Sequence, residues 1–225
     1  MTQQYTLRDP LSFQGIGLHT GKSVEVVIRP AAADTGIVFV RSDLDPGLQV
    51  PACADNVQFN ETRQTALVMG RGIIRTIEHL MAVFHGLGID NAIVEVDGEE
   101  MPGLDGSSRE YTEVITRAGL VEQNKERKFI EIREPVFVDH GDQALVVLPA
   151  PHLSISYSLS YRHQDLSDQF LSLRILPEIF EREIAPARTF CLKEEAQLLL
   201  ASGFGKGANT ANTLVFERNH PIENT

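Results

Sequence analysis

From Leu153 to Tyr161 the sequence alternates without a break, with Leu153, Ile155, Tyr157, Leu159 and Tyr161 set against four serines. A period of two places the apolar set on one face of a strand, so this segment is expected to be half-buried. A sheet that is apolar on one face needs a second layer to cover it, and that requirement constrains the architecture more than any other feature. Other segments read the same way. Ser23–Arg29 alternates before Pro30, Gly36–Arg41 and Asn91–Val96 read as strands, and Asp45-Pro46-Gly47 reads as a turn. Further on, Phe129–Ile132 and Pro135–Val138 read as strands, the latter turning at His140–Gln143 into Ala144–Leu148.

The covering layer is legible in the first half. Between Thr76 and Leu87 the period changes, with Ile77, Leu80, Met81, Phe84 and Leu87 at helical spacing, Thr76 placed to cap the start and Gly88 to end it. Ser107-Ser-Arg-Glu110 spells a capping box before a second stripe of Tyr111, Val114, Ile115 and Ala118, closed by Gly119. Strands followed by amphipathic helices predict an α+β fold. The polar run Glu122–Lys128 lacks apolar periodicity and is read as a linker between a first unit, 1–121, and a second, 129–225. The second unit makes strands but offers only short helical stretches, around Pro177–Ile184 and Leu192–Ala201, before the glycine-rich Gly203–Gly207. It has little to cover its sheet with, and the chain is expected to end before the unit is complete.

Composition excludes several classes of partner. The 225 residues carry 20 basic and 31 acidic side chains, a formal charge of −11, with no Lys/Arg cluster of the kind that phosphate neutralisation requires, so nucleic acid is excluded. The N-terminus lacks a charged-then-apolar signal pattern, and no run approaches the roughly 18 apolar residues of a spanning helix. A cytoplasmic monomer is expected. Cys53 and Cys191 fit neither a disulfide framework nor a CxxC metal site and read as free thiols.

Several motifs carry chemistry beside a plainer reading. Gly15–Ser23 invites comparison with a phosphate-binding loop, but Ile16 stands where that pattern needs glycine, and the glycines run into a strand instead of a helix. A tight turn that brings His19 against its surroundings is the alternative. In Thr76-Ile-Glu-His-Leu80, Glu78 and His79 lie off the apolar stripe in the first helical turn. There the helix dipole disfavours imidazolium and favours an ionised carboxylate, which suits a metal ligand beside a base. A solvated Glu-His pair fits as well. Thr189, just after Pro186, is placed on a turn, where a threonine is commonly only a cap. Asp105 either shapes its loop or takes part in catalysis.

Taken together, five motifs are more specific than any one. Gly15-Ile-Gly-Leu-His-Thr-Gly21, Thr76-Ile-Glu-His-Leu80, Gly86-Leu-Gly-Ile-Asp-Asn91, Met101-Pro-Gly-Leu-Asp-Gly-Ser107 and Ala187-Arg-Thr-Phe190 occur in the order and approximate spacing of the UDP-3-O-acyl-N-acetylglucosamine deacetylases. The chain resembles that family from about residue 7 to its end. The resemblance implies a cytoplasmic zinc amidase of lipid A biosynthesis, which frees the 2-amine of its UDP-3-O-acyl-N-acetylglucosamine substrate and releases acetate. It also implies two similar α+β units with helices sandwiched between two sheets, and an acyl-passage insert at about 187–216.

Carried over by position, His79 matches a zinc ligand, Glu78 the general base and Thr189 the hydroxyl that helps hold the oxyanion. Phe190 and Leu192 match the lining of an acyl passage, Leu18 and His19 the loop at its entrance, and Tyr161 an aromatic near the nucleotide base. The resemblance further implies two zinc ligands in a His-Lys-x-x-x-Asp helix and a general-acid histidine after Asn212–Phe216. The sequence contains no such helix, and His220 in Asn-His-Pro-Ile does not replace it. A catalytic zinc needs three protein ligands. The 225 residues alone are therefore expected to bind zinc poorly and turn over little, as a fragment of an active deacetylase. The competing reading is a short, non-catalytic chain that keeps the lipid-nucleotide pocket as a binding or regulatory module.

Overall fold

A computed structural model of the chain describes residues 2–44, 48–61, 63–161 and 166–217. Asp45-Pro46-Gly47 and His220 lie outside the described residues. In chain order the first part holds β1 (Gln3–Leu7), β2 (Leu11–Ile16), β3 (Ser23–Pro30), β4 (Ile37–Arg41) and β5 (Gln49–Pro51). These are followed by β6 (Val57–Gln58), β7 (Ala66–Met69) and β8 (Gly72–Arg75). Then come α1 (Glu78–Leu87), β9 (Ala92–Val96), α2 (Arg109–Ala118) and β10 (Leu120–Glu126). The main sheet has the order β2-β3-β9-β4-β5, with β4 and β9 parallel and the other pairs antiparallel.

The expected strand period places Val24, Val26 and Ile28 of β3 with Ala92, Val94 and Val96 of β9 on the buried face. The opposite face is partly solvated and carries the Arg29–Glu95 ion pair at 2.9 Å. The apolar stripes of α1 and α2 meet the buried face, where Leu80, Val83, Phe84, Leu87, Tyr111 and Ile115 join Phe39, Leu67 and Ile74 in one core. Leu80→Ala should therefore cost about 2–5 kcal/mol of stability, read as a lowered midpoint in thermal denaturation.

The polar run expected as a linker is strand through Glu126. It pairs antiparallel with β1, and the Gln123 amide spans from Ala31 O to Asn91. Apolar periodicity did not reveal this strand because most of its side chains face water. Two expected helix caps do not form. Thr76 has a left-handed backbone, φ 57°, and α1 starts without a side-chain cap. The Ser107 hydroxyl donates to Asp105 Oδ1 at 2.7 Å and accepts from the Arg109 N–H at 3.0 Å, so it serves the first residue of α2 from one position further out, with Ser108 at the cap position and no capping box.

The second part forms two hairpins, β11 (Val136–His140) with β12 (Gln143–Val147), and β13 (Ser154–Leu159) with β14 (Gln169–Arg174). The turn at His140–Gln143 is as expected. Phe129–Ile132 is not a strand, and Phe129 and Ile130 are exposed. Nor is the alternating segment half-buried. Ile155 is 51% exposed and Tyr157 61%, and only the end of that face is covered, where Leu159 and Tyr161 are partly buried and Tyr161 meets Phe190.

The chain then returns to the core. α3 (Pro177–Ile179) runs into a single π-helical turn, Phe180–Ile184, and Phe180 and Ala185 are buried in the core. Gly86 of α1 leaves room for this, since a methyl group there would meet the Phe180 ring at 2.3 Å. β15 (Phe190–Leu192) is parallel to β16 (Leu214–Phe216), with α4 (Lys193–Ala201) and the glycine-rich loop between them. The overall class is α+β, as expected. Both cysteines are free.

Candidate active site

The loop 101–106 is the hub around which the candidate residues gather. The Tyr111 hydroxyl of α2 holds it by donating to Pro102 O, and Gly106 N donates to Gly103 O at 2.8 Å to tighten it. Asp105 Oδ1 accepts from the Ser107 N–H at 2.9 Å, so this aspartate shapes the loop.

On one side of the hub stand Glu78 and His79, the first two residues of α1. Glu78 Oε2 accepts from the Thr65 N–H at 3.0 Å, which fixes the carboxylate over the loop leading into β7. The Ser108 hydroxyl donates to His79 O at 3.1 Å. Burial holds the His79 imidazole below its ordinary pKa, against the opposing pull of the Glu78 and Asp105 carboxylates. Below that ordinary value near 6.5 the ring is neutral at pH 7, the form a metal ligand requires.

Thr189 lies on the same hub. It does not sit on a turn but leads into β15, with its N–H donating to Gly106 O at 2.7 Å and its carbonyl accepting from Leu214 N at 2.9 Å. Arg188 Nε donates to Asp105 O at 3.0 Å beside it. Thr189 is thus bonded to Gly106, the neighbour of the Asp105 whose carboxylate acts on the His79 ring.

Across the hub, Leu18 packs over Gly103, where a methyl group would meet Leu18 Cβ at 3.3 Å. His19 is 7% exposed, both of its ring nitrogens lack a hydrogen-bond partner among the described residues, and its ring stands edge-on to Phe204 at 5.6 Å. The segment Gly15–Ser23 is a turn between antiparallel strands, which agrees with the rejection of a phosphate-binding loop. Tyr161 and Phe190 meet edge to face at 5.6 Å, and Phe190 meets Phe216 at 5.8 Å. The structure thus joins two residues that the resemblance assigned to different parts of the substrate. Arg63 bonds the Tyr161 hydroxyl and pairs with Glu195 at 2.5 Å, while Glu195 Oε2 accepts from Leu192 N at 3.1 Å.

Sequence reasoning missed Glu100, Arg63, Glu195 and Phe204. Each has a partner across a large gap in sequence, Arg63 with Glu195, Glu100 with His19 and Phe204 with His19, and only Phe204 lies in a marked segment, the glycine-rich 203–207. A fit test for zinc gives a partial answer. His79 is a competent ligand, but the described residues contain no group of three His, Cys, Asp or Glu side chains able to hold a metal. They provide one ligand position and no complete centre.

An adjacent carboxylate and an imidazole held toward its neutral form at a helix start suit acid–base work. The sequence matches the family model described as UDP-3-O-acyl N-acetylglycosamine deacetylase over residues 4–225. UDP-3-O-acyl-N-acetylglucosamine deacetylase of Citrifermentans bemidjiense is 40% identical over 222 residues, 99% of this chain and 72% of that relative. The proteins of the same name from Saccharophagus degradans and Teredinibacter turnerae are 37% and 39% identical over 220 residues, each alignment covering 97% of this chain and 72% of the relative. The chain belongs to this deacetylase family.

Proposed function

We propose that the protein hydrolyses the 2-acetamido group of UDP-3-O-acyl-N-acetylglucosamine, giving the free amine and acetate, as a monomer acting in the cytoplasm in lipid A biosynthesis. No helix among the described residues is long and apolar enough to cross a membrane, which fits that setting. What supports the reading is the pull of the Glu78 and Asp105 carboxylates on the His79 ring, together with the bond from Thr189 N–H to Gly106 O beside Asp105, in a chain of this family.

Zinc is the proposed cofactor, with His79 as one ligand and the others not among the described residues. When bound, it would make a coordinated water acidic enough to attack an amide near neutral pH. Glu78, oriented by Thr65 N–H, is the base that would accept a proton from the attacking water. The Thr189 hydroxyl makes no hydrogen bond among the described residues and is free to donate to the oxyanion that develops on the acetyl oxygen. Phe190 and Leu192 line the acyl passage, where each buried methylene contributes about 0.8 kcal/mol. Leu18 and His19 stand at its entrance, and Tyr161 faces the nucleotide end.

The test is acetate release from the substrate by protein purified from its own cells. Turnover should stop on chelation and return with zinc. Turnover indifferent to chelation would remove zinc, and no acetate from the zinc-loaded protein would remove the deacetylase reading. Thr189→Val should lower kcat by roughly 10–10³-fold with KM little changed, because the lost donor acts in the transition state.

A further inference from the structure

Glu100 is 2% exposed, and no cation pairs with it among the described residues. Its neighbour Glu99 faces outward to Arg75 at 3.0 Å and Lys22 at 3.8 Å, so Glu100 alone turns inward. Three donors from two distant segments converge on it. The His19 N–H donates to Oε1 at 2.7 Å, the Thr20 N–H to Oε2 at 2.7 Å, and the Thr76 hydroxyl, shared with Gln64 Oε1 at 3.3 Å, to Oε1 at 3.2 Å. Burying a carboxylate without a cation is costly, and charge-assisted hydrogen bonds recover only part of that cost. An apolar side chain would fill the space more cheaply, but it could not align two backbone N–H groups and a hydroxyl.

What the carboxylate aligns is site structure. Thr76, held in its left-handed conformation, immediately precedes the start of α1, two residues before Glu78 and three before His79. His19 and Thr20 belong to the turn that carries Leu18. The carbonyls of Leu18 and His19 in turn accept from Gly207 N at 3.0 Å and Lys206 N at 3.2 Å, which brings Phe204 against the His19 ring. We infer that Glu100 is a positioning residue: one buried carboxylate holds the passage-entrance turn and the launch point of the base-bearing helix in a fixed relation. Its role toward substrate rests on the reading of Leu18 and His19 as the entrance of an acyl passage.

The test is residue-resolved hydrogen exchange together with binding of laurate as a straight-chain probe, for the protein and for Glu100→Gln. The glutamine carbonyl can still accept from His19 N–H, but its NH₂ group faces the Thr20 N–H. The Thr20 amide should then exchange roughly 100-fold faster while Val26 and Val94 in the sheet keep their protection. Laurate affinity should fall about tenfold, in line with a lost charge-assisted hydrogen bond at the entrance. If the amide variant fails to fold, Glu100→Asp, which keeps the charge and withdraws it by one methylene, is read in the same way. Unchanged Thr20 exchange overturns the inference, and so does equal loss of protection throughout the sheet, which would make Glu100 a general stabiliser. Absence of laurate binding by the unaltered protein overturns the acyl-passage reading and the substrate role built on it, while the exchange result still decides whether Glu100 holds the turn.

Discussion

Glu78→Ala should reduce acetate release by roughly 10²–10⁴-fold, the range over which a positioned base accelerates proton transfer. The carboxylate is half-buried and, among the described residues, makes one hydrogen bond, to Thr65 N–H, so removing it costs little of the core. A loss of turnover much larger than the loss of stability would be the mark of a chemical role. Glu78→Gln makes the separation sharper. The amide oxygen can still accept from Thr65 N–H, which preserves the local geometry, but the side chain can no longer take a proton at neutral pH. The glutamine variant should therefore melt with the unaltered protein, retain its zinc, and be as inactive as the alanine variant. Steady-state kinetics and metal analysis on the same preparations check this. Turnover retained by Glu78→Gln would mean that the proton goes elsewhere.

The residues that were legible in the sequence and those that were not differ in a physical way. Local pattern announced α1, since Leu80, Phe84 and Leu87 must share a face whatever else the chain does, and the Gly88 stop follows from the same segment. The pair Glu78–His79 was visible because it departs from that stripe at a helix start. The alternation of 153–161 correctly gave a strand, but burial depends on what is layered onto it, and period says nothing about that. The caps failed for a related reason. Ser107 and Thr76 have the right chemistry for helix starts, but each lies one residue before the cap position: Ile77 and Ser108 stand there, Thr76 has a left-handed backbone, and Ser107 reaches only the Arg109 N–H. β10 escaped notice because a strand paired at the surface can be polar on most positions. Arg63–Glu195 and Glu100–His19 are joined only by the fold, so no window of sequence contains both partners.

The second large effect is expected at Gly106, where the second part of the chain is docked onto the hub. The residue has φ +79°, a conformation that costs a side-chain-bearing residue about 1–2 kcal/mol. A Cβ there would also stand 1.7 Å from the carbonyl oxygen of Asn212. That carbonyl has little freedom to retreat. The Asn212 side chain accepts from Asn209 N–H at 2.8 Å and donates to Gly207 O at 3.0 Å, so its backbone is set by its own loop. Gly106→Ala must instead push the two segments apart and break the bond from Thr189 N–H to Gly106 O. The expected cost is about 3 kcal/mol or more, among the larger single-residue effects, and it falls on one region. Limited proteolysis should show cleavage opening between Ala187 and Phe216 while fragments containing β2 to β9 persist. Acetate release should fall with it, because this contact ties Thr189 directly to the 101–106 loop. Protease resistance and turnover equal to the unaltered protein would show that the docking of 187–216 does not depend on Gly106, and would leave the placement of Thr189 to be supplied by another contact.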